Sequence, residues 1–256
     1  MSLTVSAISS ERKEGRFDLF KEIVKTLDKN QFRVENGDIL VISSKYISNS
    51  QGRLLDMKNV QASKDGSTIA NKFQIKPQIA EVILRESDVV FGGISGFVIT
   101  SSDNILAPNA GIDKSNTKKG RLILYPDDSY LIAEQLRRKF FLKFFVNVGI
   151  IIVDSRLMPS RVGTTGVAIA CAGMEPIKDM RAQKDLHDNP LKVTFQAVAD
   201  NLASIANHKM GEGAESKPFA IVRNSGAKLT NRKINPNEMA ISHDLCVYVR
   251  GLKNSN

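Results

Sequence analysis

Three carboxylates stand where a chain could hold them rigidly. Asp113 follows the turn "NAG" in "ILAPNAGIDKSNTKKG", Asp154 closes the apolar run "GIIIV", and Glu212 sits in "MGEG" just past a long helical pattern. An acid fixed at the end of an element binds a hard cation with little reorganisation. Mg²⁺ and Mn²⁺ take one or two such acids, keep water and bridge to substrate phosphates. Near Glu212 the negative end of a helix dipole would add to the attraction. Taken singly, each acid is better explained by an ordinary local role: an Asx turn at Asp113, a cap at Asp154, a solvated loop acid at Glu212.

Other site chemistries are poorly served. His187, His208, His243, Cys171 and Cys246 show no metal-ligand spacing, which argues against zinc and leaves oxygen ligands. Neither G-x-x-x-x-G-K-S/T nor G-x-G-x-x-G occurs, so a nucleotide would need another cradle.

The elements that must position these acids are legible from periodicity. "RFDLFKEIVKTL" repeats Phe17, Phe20, Val24 and Leu27 at helical spacing. "ILVI" (Ile39 to Ile42) and "VGIIIVD" are continuous apolar runs, the mark of strands buried on both faces. "PQIAEVILRES" starts on Pro77 as a helix does, and "VVFGG" and "GFVIT" predict a hairpin. "PDDSYLIAEQLRRKFFLKF" predicts a helix with acids and Ser129 at its start and bases at its end. "GVAIACAG" predicts a strand whose small side chains let a neighbour pack close. "FQAVADNLASIANHKMG" predicts a helix with Val198, Leu202, Ile205 and Ala206 inward. "FAIV" and "LCVYV" predict strands, the second an edge strand with Leu245, Val247 and Val249 alternating. Hairpins and long helices without regular β-α-β alternation indicate an α+β class with mixed sheets and packed helices.

Composition narrows the partners. With 42% hydrophobic and 25% charged residues, the chain of 256 residues has ordinary globular balance. Its net charge of +9 is scattered in short runs, aromatic residues are 6% and Trp is absent, so nucleic acid is an unfavoured partner. The longest apolar run, Phe140 to Val153, is broken by Lys143 and Asn147 and falls short of the roughly 20 apolar residues a membrane span needs. Two cysteines without pair spacing and the lack of a signal-peptide pattern lead to the expectation of a cytoplasmic protein.

Read together, "GDILVISSKYIS…GR", "NAGIDKSN", "GIIIVDS", "GVAIACAG", "KD", "AVADNLAS" and "MGEG" resemble the coenzyme F-420-0:γ-glutamyl ligase family from about Gly37 to Arg223. The resemblance implies one unit over residues 1–256, with that family's fold of two interleaved subdomains and a homodimeric assembly. It implies amide formation between L-glutamate and a deazaflavin precursor, with GTP as co-substrate and Mg²⁺ or Mn²⁺, two ions, as cofactors. The acceptor carboxylate would pass through an acyl phosphate, so no protein nucleophile is needed. The resemblance places Asp113 and Asp154 on a first ion, Ser155 where the family has a metal-contacting Thr, and Glu212 on a second. Ser44, Lys45, Asn116, Gly211 and Gly213 would face the nucleotide, with Gly111 admitting its phosphates close to the backbone. Read without the family, Ser44 and Lys45 form a polar exit turn and Asn116 a cap.

The chain departs from the family pattern in four places. Asn49 stands where a second Lys is expected, "SRLMPSRVG" follows Asp154 in place of T-x-G-R, "KDLHDNPL" replaces K-D-x-x-G-R-x-L, and "ISSERKEGRFD" lacks an apolar, proline-containing nucleotide loop. The alternative to a ligase is a non-catalytic or altered-acceptor paralogue that binds a nucleotide or nucleic acid.

Overall fold

The computed structural model describes residues 2–102 and 104–253. The first half of the chain forms β1 (Thr4–Ile8), α1 (Leu19–Lys29), β2 (Ile39–Ser43), α2 (Ser44–Gln51), β3 (Leu54–Asp56), α3 (Lys64–Phe73), α4 (Pro77–Glu86), β4 (Val89–Ile94), β5 (Phe97–Ser102), β6 (Ile105–Pro108) and β7 (Arg121–Ile123). The second half adds α5 (Ser129–Phe144), β8 (Gly149–Leu157), β9 (Thr164–Ala172), β10 (Ile177–Asp179), β11 (Phe195–Ala197), α6 (Val198–Met210), β12 (Phe219–Arg223) and α7 (Val247–Lys253). The class is α+β with several sheets.

The main sheet runs β1-β12-β2-β8-β9. Only β2 and β8 pair in parallel, from Ile39 opposite Gly149 to Ser43 opposite Val153; their other neighbours are antiparallel. Strand alternation sends Leu40, Ile42, Ile150 and Ile152 into a core with Ile23 and Leu27 of α1 and Leu136 and Phe140 of α5. Ile39, Val41, Ile151 and Val153 face the other way, onto Ala199, Leu202, Ala203 and Ala206 of α6. Both faces are covered, which is why "ILVI" and "GIIIV" read as unbroken apolar runs. A smaller core joins Phe73 of α3, Ile79 and Ile83 of α4 and Val98 of the β4-β5-β6 sheet. The ribbon of β3 and β7 closes it through Leu122, which packs with Val60 and Val82.

Several expectations change. "LCVYV" is no strand: Val247–Lys253 is helical, with the Arg250 N–H donating to the Cys246 carbonyl. Leu245, Val247 and Tyr248 lie exposed, so the apolar alternation had no sheet edge to meet. Ile205 points to solvent at 40% exposure, because Ala199, Leu202, Ala203, Ala206 and Met210 make the inward stripe of α6. Residues 195–197 pair with β10 before that helix begins. Phe17 precedes α1, whose cap is Asp18 accepting from the Lys21 N–H at 3.0 Å. The polar exit turn read at Ser44 and Lys45 is the first turn of α2.

The apolar run through residue 153 divides between the end of α5 and β8, and among the described residues no helix is long and apolar enough to cross a membrane. Cys171 and Cys246 are unpaired, and burial pushes the Cys171 thiol up to about 12.

The expected close packing on "GVAIACAG" occurs at Gly166. A β-carbon there would stand 2.6 Å from Asn207 Cβ and 2.7 Å from the Ala203 carbonyl oxygen. Gly166→Ala is therefore expected to cost about 1–3 kcal/mol through overpacking. Urea unfolding checks this: the midpoint should fall with the slope unchanged, and an unaltered midpoint would contradict the seating of α6 on β9.

Candidate functional site

The parallel register of β2 and β8 builds the first part of the site. Asp154, expected at a strand end, lies inside β8, whose pairing with β9 carries the strand on to Leu157; where β2 turns into α2, Ser44 lies beside it, and its Oγ donates to Asp154 Oδ1 at 2.6 Å. The other oxygen of Asp154 lies 2.7 Å from Arg156 Nε. Arg156 is 4% exposed. Its Nη1 donates to the Leu106 carbonyl at 2.8 Å and its Nη2 to the Tyr125 hydroxyl at 2.7 Å, with the guanidinium 5.2 Å from the Tyr125 ring centre. Asp154 is thus held between a helix start and a buried cation that also ties β8 to β6.

Asp113 comes from the other core. Its backbone exchanges hydrogen bonds with Ile123, donating at 3.0 Å and accepting at 2.9 Å, which anchors the loop after β6 to β7. The carboxylate accepts from the Ser115 N–H at 2.6 Å and from Ser115 Oγ at 2.9 Å, and it pairs with Lys45. Burial pushes the Asp113 carboxyl up, but Lys45 and the Ser115 donors more than reverse this and hold it below the usual aspartate value. Gly111, expected to admit phosphates, has φ 68°, and a β-carbon there would stand 2.6 Å from Tyr125 Cδ2. The missing side chain makes room for the Tyr125 ring.

Ser155 leaves β8 on the face opposite Asp154, as neighbouring strand residues do. Its hydroxyl pairs with Glu212. Asn207 Nδ2 at 2.7 Å and Thr164 Oγ1 at 3.3 Å also donate to Glu212 Oε1. Asn116, with φ 55°, donates from Nδ2 to the Gly213 carbonyl at 3.2 Å and joins the "NAGIDKSN" and "MGEG" loops.

Two cavities of about 290 and 280 Å³ adjoin here and share Ser44, Lys45, Asp154, Ser155 and Glu212. The first also has Asp113 and an apolar side made by Phe97, Pro108, Tyr125 and Leu157. The second holds Asn116, Gly211 and Gly213, together with Asn49. Every residue expected at the site lines one of these spaces.

The sequence reading missed Arg156 as a site residue, and it missed Arg12, Lys13, Lys118, Arg121 and Lys217 on the second cavity. A lone basic residue after "DS", and basic residues scattered through the chain, carried no spacing signal.

The donor set suits a hard divalent cation in chemistry, being carboxylate and hydroxyl oxygen only. Its arrangement is open: among the described residues no group of three or more His, Cys, Asp or Glu side chains is placed to hold an ion. Such a site would bind an ion through one or two acids together with phosphate oxygens.

The model of the family described as F420-0:Gamma-glutamyl ligase matches residues 12–224. The chain belongs to this family. It is accordingly a ligase, and the matched stretch contains the residues lining the two cavities apart from Ser10 and Glu11. The chain is 33% identical to a coenzyme F420:L-glutamate ligase of Methanopyrus kandleri over 87% of each chain. It is 36% identical to the protein of that name from Methanocaldococcus jannaschii, over 79% of this chain and 82% of the relative. It is 34% identical to the one from Archaeoglobus fulgidus, over 76% and 78%.

The lowered Asp113 value makes a stability prediction. A carboxyl depressed by folding contributes stability above its unfolded value of about 3.9, and that contribution is lost as pH falls through the folded value. Asp113→Asn should therefore melt below the wild type at pH 7, with the gap closing below about pH 4. A gap independent of pH would show that the Lys45 and Ser115 contacts do not stabilise the charged form.

Proposed function

We propose that this ligase joins L-glutamate to the carboxylate of a deazaflavin coenzyme precursor, with GTP and Mg²⁺ or Mn²⁺. The relatives' names support the substrates, and one observation carries the mechanism: the two cavities meet at Ser44, Lys45, Asp154, Ser155 and Glu212. A nucleotide in the second cavity and an acceptor in the first would present γ-phosphate and carboxylate to each other at that junction.

The second cavity has the features of a phosphate site. Ser44, Lys45 and Tyr46 at the start of α2 line it, and the Ser43 side chain makes no capping hydrogen bond, so the first backbone N–H groups of that helix are available to phosphate oxygens. Lys45 would exchange its pairing with Asp113 for the phosphates, while Arg12, Lys118 and Arg121 supply charge where the family's second Lys is replaced by Asn49. The apolar side of the first cavity, with Phe97 and Tyr125, offers the flat contact an aromatic acceptor needs.

An acceptor oxygen forms a bond to the γ-phosphorus as the bond to the bridging oxygen of GDP breaks. The glutamate nitrogen then bonds to the acyl carbon, phosphate leaves with the electron pair of the carbon–oxygen bond, and the amine proton passes to solvent. Divalent metal held by phosphates and by oxygens from among Asp113, Asp154, Ser155 and Glu212 would neutralise charge as it develops, the number of ions being left open by these contacts. The protein's part is to orient both substrates and to place Lys45 and the α2 amides against the moving charge.

Mass spectrometry of a reaction with F-420-0, glutamate, GTP and Mn²⁺ should show glutamyl addition with GDP and phosphate released in step. Omitting glutamate should stop product formation. Asp154→Asn should lower turnover by about 10²-fold or more. Product formed without any nucleotide would contradict the mechanism.

A further inference from the structure

The charges of the site are unevenly matched. At one end, Asp113 is paired with Lys45 and Asp154 with Arg156. At the other, Glu212 is held by the neutral donors of Ser155, Asn207 and Thr164, and no cation pairs with it in the described residues. Glu212 also stands two residues beyond the end of α6, whose 13 residues direct the negative end of their dipole toward it.

Arg156 differs in kind from Lys45. The Lys45 side chain is 31% exposed at the mouth of both cavities and can move to a phosphate. Arg156 is buried, donates to the Leu106 carbonyl and the Tyr125 hydroxyl, and keeps Nε against Asp154. Removing it from that position would strand a buried guanidinium and unpair a carbonyl, a cost that ligand binding at an exposed carboxylate edge does not have to meet. With Ser44 on Oδ1 and Arg156 on Oδ2, Asp154 has both oxygens engaged.

We infer that Arg156 is a built-in cation of this site, a positioning residue that occupies the charge position opposite Asp154, so that the ligase takes one divalent ion with its nucleotide, at the Glu212 and Ser155 end. This rests on the nucleotide and metal reading above and fixes the number and place of the ions within it.

The test is equilibrium dialysis of the full chain against Mn²⁺ and a non-hydrolysable GTP analogue in excess, counting manganese and guanine bound per chain. Nucleotide carries its own ion in solution, so only the ratio on the protein is read. One Mn²⁺ per bound nucleotide is expected in the wild type, and in Glu212→Gln a several-fold rise in the Mn²⁺ concentration needed to reach that ratio. Arg156→Gln, which frees one oxygen of Asp154, should bind two, while Arg156→Lys, which keeps the charge, should stay at one. Two ions in the wild type would overturn the inference, and that count stands even if Arg156→Gln does not fold. An unchanged Mn²⁺ requirement in Glu212→Gln would also overturn it. Nucleotide bound with no manganese, or no nucleotide bound at all, would instead remove the reading on which it rests.

Discussion

The parallel pairing of β2 with β8 is the constraint from which the site follows. It sets the strand exit at Ser43 level with Val153, so that the first turn of α2 emerges beside Asp154 and Ser155 of β8. Both strands are buried on both faces by α1 and α5 on one side and α6 on the other, and a slip of one residue would exchange the two cores. The register is thus pinned by the bulk of the apolar interior. Ser44, Lys45, Asp154 and Ser155 inherit their positions from it.

The second consequence is a division of labour along β8. Alternation sends Asp154 toward Arg156, which reaches on to Tyr125, and Ser155 toward Glu212 at the end of α6. One end of the site is closed by fixed and movable cations and the other by neutral donors only. A fixed cation keeps the neighbouring acid oriented without exchange, whereas an exposed acid among neutral donors leaves room for a ligand's charge. The apolar wall of Phe97 and Tyr125 lies on one flank of this seam and the start of α2 with its basic neighbours on the other, so the two sides suit chemically different molecules.

Much of this was legible in the sequence. The twin apolar runs at Ile39 and Gly149, the hairpin after Val89 and the long helix after Asp128 carry local periodicity that tertiary packing reinforces. The three acids stood out as carboxylates closing elements, the resemblance gave roles to them and to the "SSK" and "MGEG" residues, and all of them line the two cavities. What escaped was non-local. Arg156 looks like any basic residue until Leu106 and Tyr125, distant in the chain, surround it. Ser44 read as a turn because a short polar helix has no apolar stripe, and its helix is fixed by the buried Tyr46 and Ile47. "LCVYV" alternates like a strand, but the fold offers it no edge, and local hydrogen bonds then favour a helix. Gly111 was read toward phosphates, whereas a ring from a later loop uses the space.

In the proposed reaction, nucleotide and acceptor meet over the seam made by Ser44, Asp154 and Glu212. A crystal structure with a non-hydrolysable GTP analogue and Mn²⁺ tests it most directly, with the metal identified by its anomalous signal. The γ-phosphate is expected at the junction of the two cavities, touching the start of α2, with the guanosine on the Asn116 and Gly213 side. A nucleotide seated against Phe97 and Tyr125, or outside both cavities, would contradict it.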